Sequence, residues 1–153
     1  MKLDAVYSLH KGVDLWKERD LYEWVTDVFE APRVKVRAGG TGDIREHVRN
    51  ELGSKGWAFN VRIDPEADLT VFARKSDLAV QLQTGNISRY AYDLLKIQHL
   101  YFKKEIAVAA LAIPTKESAK VLGSNIVNDE RVWNELNIFD RVITVPLMII
   151  AFK

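Results

Sequence analysis

Residues 80–86 read VQLQTGN. Side chains of an extended chain point alternately to opposite faces, so Val80 and Leu82 go one way while Gln81 and Gln83 go the other. Two long amides on one face of an otherwise apolar strand either meet solvent or floor a polar site, because a buried amide without partners is costly. Upstream, DLTVFA (68–73) and LAVQLQ (78–83) flank the polar turn RKSD, which reads as a β-hairpin. Downstream, Asn86 or Ser88 should start a helix running to about Lys103, with Ala91, Leu94, Leu95, Gln98 and Phe102 facing inward. IAVAALAI (106–113) is continuously apolar, as expected of a strand covered on both faces, and Pro114 ends it.

Outward from this centre, Leu15, Trp16, Leu21, Trp24, Val25 and Phe29 recur at helical spacing and predict one helix over Val13–Phe29. RVKVR (33–37) alternates and predicts a short strand before the loop AGGTG. Asp43 is placed to cap a helix with Ile44, Val48 and Leu52 inside and Gly53 or Gly56 at its end. WAFNVRI (57–63) predicts a strand, and residues 115–122 and 128–137 two short helices. VITVPLMIIAF closes the chain as a second buried strand, with Pro146 suggesting an edge or bulge. Helices and strands in this order predict an α/β fold, a mixed central sheet flanked by helices, as one domain over residues 1–153.

Composition narrows the function classes. With 48% apolar and 28% charged residues, the 153-residue chain has the make-up of a globular protein. No cysteine is present, which removes disulfides, thiolate metal sites and a cysteine nucleophile, and is compatible with a cytoplasmic location. MKLDAVYSLHKG lacks the apolar core of a signal peptide, and the longest apolar run is too short to span a bilayer, so no membrane role is expected. A net charge of +1 argues mildly against a nucleic-acid binder. Charge is nonetheless separated: residues 1–30 carry seven acids and four Lys or Arg, residues 31–60 three acids and six Lys or Arg. A basic face therefore remains available.

AGGTG lacks the lysine and strand-loop-helix setting of a phosphate cradle, and His10, His47 and His99 show no metal-ligand spacing. Asp68 is more informative. It opens one strand of the hairpin whose partner carries Gln81 and Gln83, and hard divalent ions such as Mg²⁺ are held by carboxylate oxygens and waters for phosphodiester hydrolysis. On its own this pattern also suits a solvent-facing hairpin. A wider stretch, VQLQTGNISRYAYDLLKIQHLYFKK, resembles the active-site strand and following helix of the BglII/BstYI group of type II restriction endonucleases, within the PD-(D/E)xK superfamily. VYSLHKG, IREHVRNELGSKGW and VITVPLMIIAF are similar to further segments of that group, so the resemblance spans roughly the whole chain.

The resemblance implies a restriction-endonuclease-like fold and a homodimeric, Mg²⁺-dependent endonuclease acting on a short palindromic site in double-stranded DNA, with a GATC centre. It implies catalytic roles for Asp68, Gln81, Gln83 and Asn60, with Asp68 and Gln81 at the metal. Asn86 falls where the group places a base-reading side chain, and Ser124 belongs to the same DNA-binding set. Arg33, Lys35 and Arg37, on one face of their expected strand, suit phosphate contact. Arg89, Lys96 and Lys103 repeat every seven residues along the third helix, where a solvated face is the simpler account and Arg89 is kept as a DNA-binding candidate. Gln81 departs from the group, which has a metal-binding glutamate there; an amide brings no charge and accepts no proton. That substitution leaves a second reading open, a DNA-binding protein that keeps the nuclease fold without its chemistry.

Overall fold

The computed structural model describes residues 1–153. In chain order its elements are β1 (Leu3–Leu9), α1 (Gly12–Lys17), α2 (Tyr22–Asp27), α3 (Thr41–Ser54), β2 (Ala58–Arg62), β3 (Thr70–Lys75), β4 (Leu78–Leu82), α4 (Tyr90–Phe102), β5 (Val108–Pro114), α5 (Lys116–Leu122), α6 (Asp129–Ile138) and β6 (Leu147–Phe152), with a 3₁₀ turn at Ile87–Arg89 before α4. One six-stranded sheet has the order β1-β6-β5-β4-β3-β2, with β4, β5 and β6 parallel to one another and the other pairings antiparallel. The mixed sheet expected from sequence is therefore present.

Every residue of β4, β5 and β6 is buried, which is why β5 and β6 read as apolar runs without alternation. Against one face pack Trp16, Val25, Ile44, Val48 and Leu52 from the first three helices and Phe29 just after α2, meeting Val80, Leu82, Ala110 and Ile150. Against the other pack Leu94, Ile97 and Leu100 of α4 with Val132 and Leu136 of α6, meeting Ala109, Leu111, Leu147 and Ile149. Each such side chain contributes about 1.5–3 kcal/mol when fully buried. Trp16 also donates its indole N–H to the Ala109 carbonyl at 3.2 Å, tying α1 to the sheet centre.

Several expectations are corrected. The chain's first strand, β1, lies where no strand was expected; it is a sheet edge, half exposed, so its sequence shows neither clean alternation nor a solid apolar run. The single helix over 13–29 is two, because Asp20 takes a left-handed conformation (φ 54°) and breaks the chain between α1 and α2. Both pieces keep the apolar face that the spacing indicated. RVKVR is not a strand: Arg33, Lys35 and Arg37 are exposed and Val34 and Val36 half-buried, but the segment joins no ladder. Asp43 sits inside the first turn of α3 rather than capping it, and binds Arg37 at 2.7 Å. Gly56, with φ 74°, supplies the left-handed exit from α3.

The inward face of α4 is rotated from expectation. Ala91, Leu95 (54% exposed) and Phe102 (68% exposed) point outward, while Tyr90, Asp93, Leu94, Ile97, Gln98 and Leu100 are buried. Polar Asp93 and Gln98 turn inward because each finds partners there. The Gln98 Oε1 accepts the Thr144 and Val145 amides, both at 2.9 Å, and its Nε2 donates to Thr144 Oγ1 at 2.8 Å. A side chain thus holds residues 144 and 145 where a ladder would otherwise be needed, and β6 begins only after Pro146, in the sheet interior rather than at an edge.

Gly12 opens α1 directly over β6, and a Cβ there would lie 2.2–2.7 Å from the backbone of Leu147. Backbone cannot yield as a flexible side chain does. Gly12→Ala should destabilise the protein by at least the roughly 1–3 kcal/mol typical of overpacking, seen as a lower urea midpoint; an unchanged midpoint would show that α1 can lift off the sheet.

Candidate active site

The hairpin of β3 and β4 is laddered only where Ala73, Arg74 and Lys75 face Val80, Ala79 and Leu78. Continuing that register would set Phe72 opposite Gln81, but there the strands part. The Phe72 amide donates instead to Gln81 Oε1 at 2.9 Å, a side chain taking the place of the missing backbone acceptor. β2 and β3 change face at the same level. Phe59 and Ala73 belong with the core beneath α3, whereas Val61 and Val71 belong with the core beneath α4. Between these two pairs lies Asn60, in a left-handed conformation (φ 49°).

The splay opens a cleft of about 660 Å³ between the β2–β3 arm, the end of β4 and the start of α4. It brings together Asn60, Asp68, Gln81, Gln83, Asn86 and Arg89, six residues singled out from sequence. Arg33, Lys35, Arg37 and Ser124 are not among its lining residues. Ser124 does sit in the turn leading to Ile126, which bridges Asn86, while the Asn125 carbonyl accepts the Ile87 amide at 2.7 Å. Arg45, Asp93 and Lys96 also line the cleft; sequence reading did not mark Arg45 or Asp93 for this role, and Lys96 was expected on a solvated helix face. The signal was faint: Asp93 and Lys96 are one helical turn apart, and so share a face with each other and with Arg89.

The polar groups are heavily committed. Gln81 and Gln83 are both buried, so neither faces open solvent. Gln83 Oε1 accepts the Gly85 amide at 2.8 Å and its Nε2 donates to Asp93 Oδ2 at 2.7 Å. The other Asp93 oxygen, Oδ1, lies 2.6 Å from the Lys96 ammonium, which also donates to the Thr70 carbonyl at 2.8 Å. Asn86 Oδ1 accepts from the Ser88 amide at 2.8 Å and from its hydroxyl at 2.9 Å, closing the 3₁₀ turn before α4. Loss of solvation, then repulsion from Arg49, lowers the pKa of Arg45, against an opposing pull from Asp93. Its guanidinium remains charged at neutral pH.

These residues do not fit a divalent cation. No three acidic or histidine side chains converge anywhere in the chain. Asp68 is 94% exposed and its nearest cation is Arg62 at 3.9 Å, while the residue level with Gln81 is the apolar Phe72. Asp93, the one buried carboxylate of the cleft, has both oxygens engaged. Asp77, the other aspartate of the hairpin, is held at its tip by Arg19 at 2.6 Å, and that hydrogen bond lowers its pKa.

A mixed sheet whose hairpin splays over a polar cleft is the restriction-endonuclease-like fold. Residues 5–152 match the family described as restriction endonuclease BglII/BglIII, and the chain belongs to that family. Restriction endonuclease BglII in complex with a DNA 16-mer superposes with a TM-score of 0.84 at 17% identity, covering 99% of this chain and 76% of that one. Free BglII gives 0.73 at 17% identity, covering 100% and 80%. No curated protein matches the chain.

Gln81→Met should strand the Phe72 amide and cost about 1–3 kcal/mol of unfolding free energy, whereas Gln81→Glu keeps an acceptor and should cost less. Urea denaturation of the two variants separates them; equal losses would mean that the Phe72 bond carries no weight.

Proposed function

We propose that this chain binds a specific site in duplex DNA, with a phosphodiester seated in the cleft, and that with Gln81 it holds this DNA without efficient cleavage. One observation carries the reading. Arg45, Arg89 and Lys96 outnumber Asp68 and Asp93 around the cleft, while the oxygens of Gln81, Gln83 and Asp93 are bonded within the protein and Asp68 stands apart in solvent. A site so charged favours a phosphate over a cation. Membership of a restriction endonuclease family supports DNA as the partner. Arg89 suits a backbone phosphate, and Asn86 lies beside it at the cleft mouth, exposed. To pair with both edges of an adenine, Asn86 must release its oxygen from Ser88.

A second reading, site-specific phosphodiester hydrolysis with Mg²⁺ as a type II restriction endonuclease, is favoured by the family match across nearly the whole chain. A supercoiled plasmid carrying GATC sites separates the two. Retention of the supercoiled form with Mg²⁺, alongside a gel shift, is expected; linear product from the protein as written, or from Gln81→Glu but not from Gln81→Glu with Asp68→Asn, would carry the second reading instead. Asn86→Ala should weaken binding to the selected site by about 1–3 kcal/mol and to random duplex much less, as read by competition binding.

We also infer a homodimer, which would match a palindromic site. α4 and α6 leave an apolar groove between Leu94, Leu95, Leu136 and Phe139, and Leu95, Phe139 and Val142 are each more than half exposed. An unpaired apolar face of this kind suits a second copy of the same face. Leu95→Glu should convert a dimer to monomer in analytical ultracentrifugation; a monomer before mutation would remove the inference.

A further inference from the structure

Lys96 is the least expected member of the cleft. Its side chain is 13% exposed and that of Asp93 9%, so the two form a largely enclosed ion pair on successive turns of α4. An enclosed charge is retained only where its partners repay the lost hydration. Here they do: Asp93 receives Lys96 and Gln83, and Lys96 gives one donor to Asp93 and one to the Thr70 carbonyl at the mouth of the splay. An ammonium has three donors. One remains for a ligand in the cleft that Lys96 lines.

We propose that Lys96 is a built-in cation at this site, contacting a DNA phosphate directly and making duplex binding independent of any divalent metal, with Asp93 and Gln83 as its positioning residues. The inference rests on the DNA-binding reading above and deepens it. Counting Lys96, Arg45 and Arg89 against Asp68 and Asp93, the lining groups sum to +1, which one phosphodiester neutralises. A divalent ion entering among them would meet a positive site and would have to displace Lys96 from the cleft's only buried carboxylate. Asp93 therefore serves to aim an ammonium, not to gather a metal.

The test uses the full chain and two fluorescein-labelled duplexes, one with a central GATC and one without, titrated by anisotropy over a range of KCl concentrations, in EDTA and again in CaCl₂. Affinities within about twofold between the two buffers are expected. Lys96→Met should lower the log-log salt slope by about 0.9, one phosphate contact, on both duplexes. Lys96→Arg should keep the slope. Because Lys96→Met alone leaves Asp93 buried and unpaired, the double variant Lys96→Met with Asp93→Asn is measured too; it removes both charges and should show the same lost contact. A tenfold or larger requirement for calcium, or an unchanged slope in the double variant, overturns the proposal while leaving DNA binding intact. Absence of binding by the unmodified chain in both buffers overturns the DNA-binding reading and this proposal with it.

Discussion

A backbone amide that leaves a β-ladder must find another acceptor, and this molecule is organised around one such departure. Where β3 parts from β4, the Phe72 amide goes to the Gln81 side chain and the Thr70 carbonyl to Lys96. Those two bonds let the hairpin open without leaving buried polar groups unpaired. Everything polar in the cleft follows from the opening. Gln83 and Asp93 are buried because the strand and helix that carry them close its floor, and Asn60 adopts its left-handed conformation at the level where the outer strands change face.

The central sheet was legible in the sequence because its strands are covered on both faces: IAVAALAI and PLMIIAF have no solvent side to encode. The VQLQ pattern marked the cleft for the same reason in reverse, since two polar residues in a buried strand require partners. What escaped was set by tertiary context. Edge strand β1 is read from its pairing with β6, not from alternation. The phase of α4 depends on whether Asp93 finds partners inside, which no helical periodicity reveals; the sequence placed Leu94 and Gln98 inward, as they are, but also Leu95 and Phe102, which are exposed. RVKVR alternates as a strand does, yet no neighbouring strand is there to accept it.

Position 81 shows how one side chain sets the demands on its surroundings. A glutamate there would bring charge to the cleft, and that charge would need a cation. The glutamine brings a neutral acceptor that the Phe72 amide satisfies, so the cleft keeps a single enclosed carboxylate, already matched by a lysine one turn away. The local electrostatics are closed without a further ion. Within the restriction endonuclease family, this chain's cleft is balanced by its own lysine.

Because the Phe72 amide is bonded to a side chain at the fork rather than to a neighbouring backbone, its hydrogen exchange would report any parting of the outer arm from Gln81 without melting of the sheet. This single amide is a built-in gauge of the cleft: slow exchange marks the arm closed on Gln81, fast exchange the arm lifted, with the amides of β5 as an undisturbed reference in the same molecule.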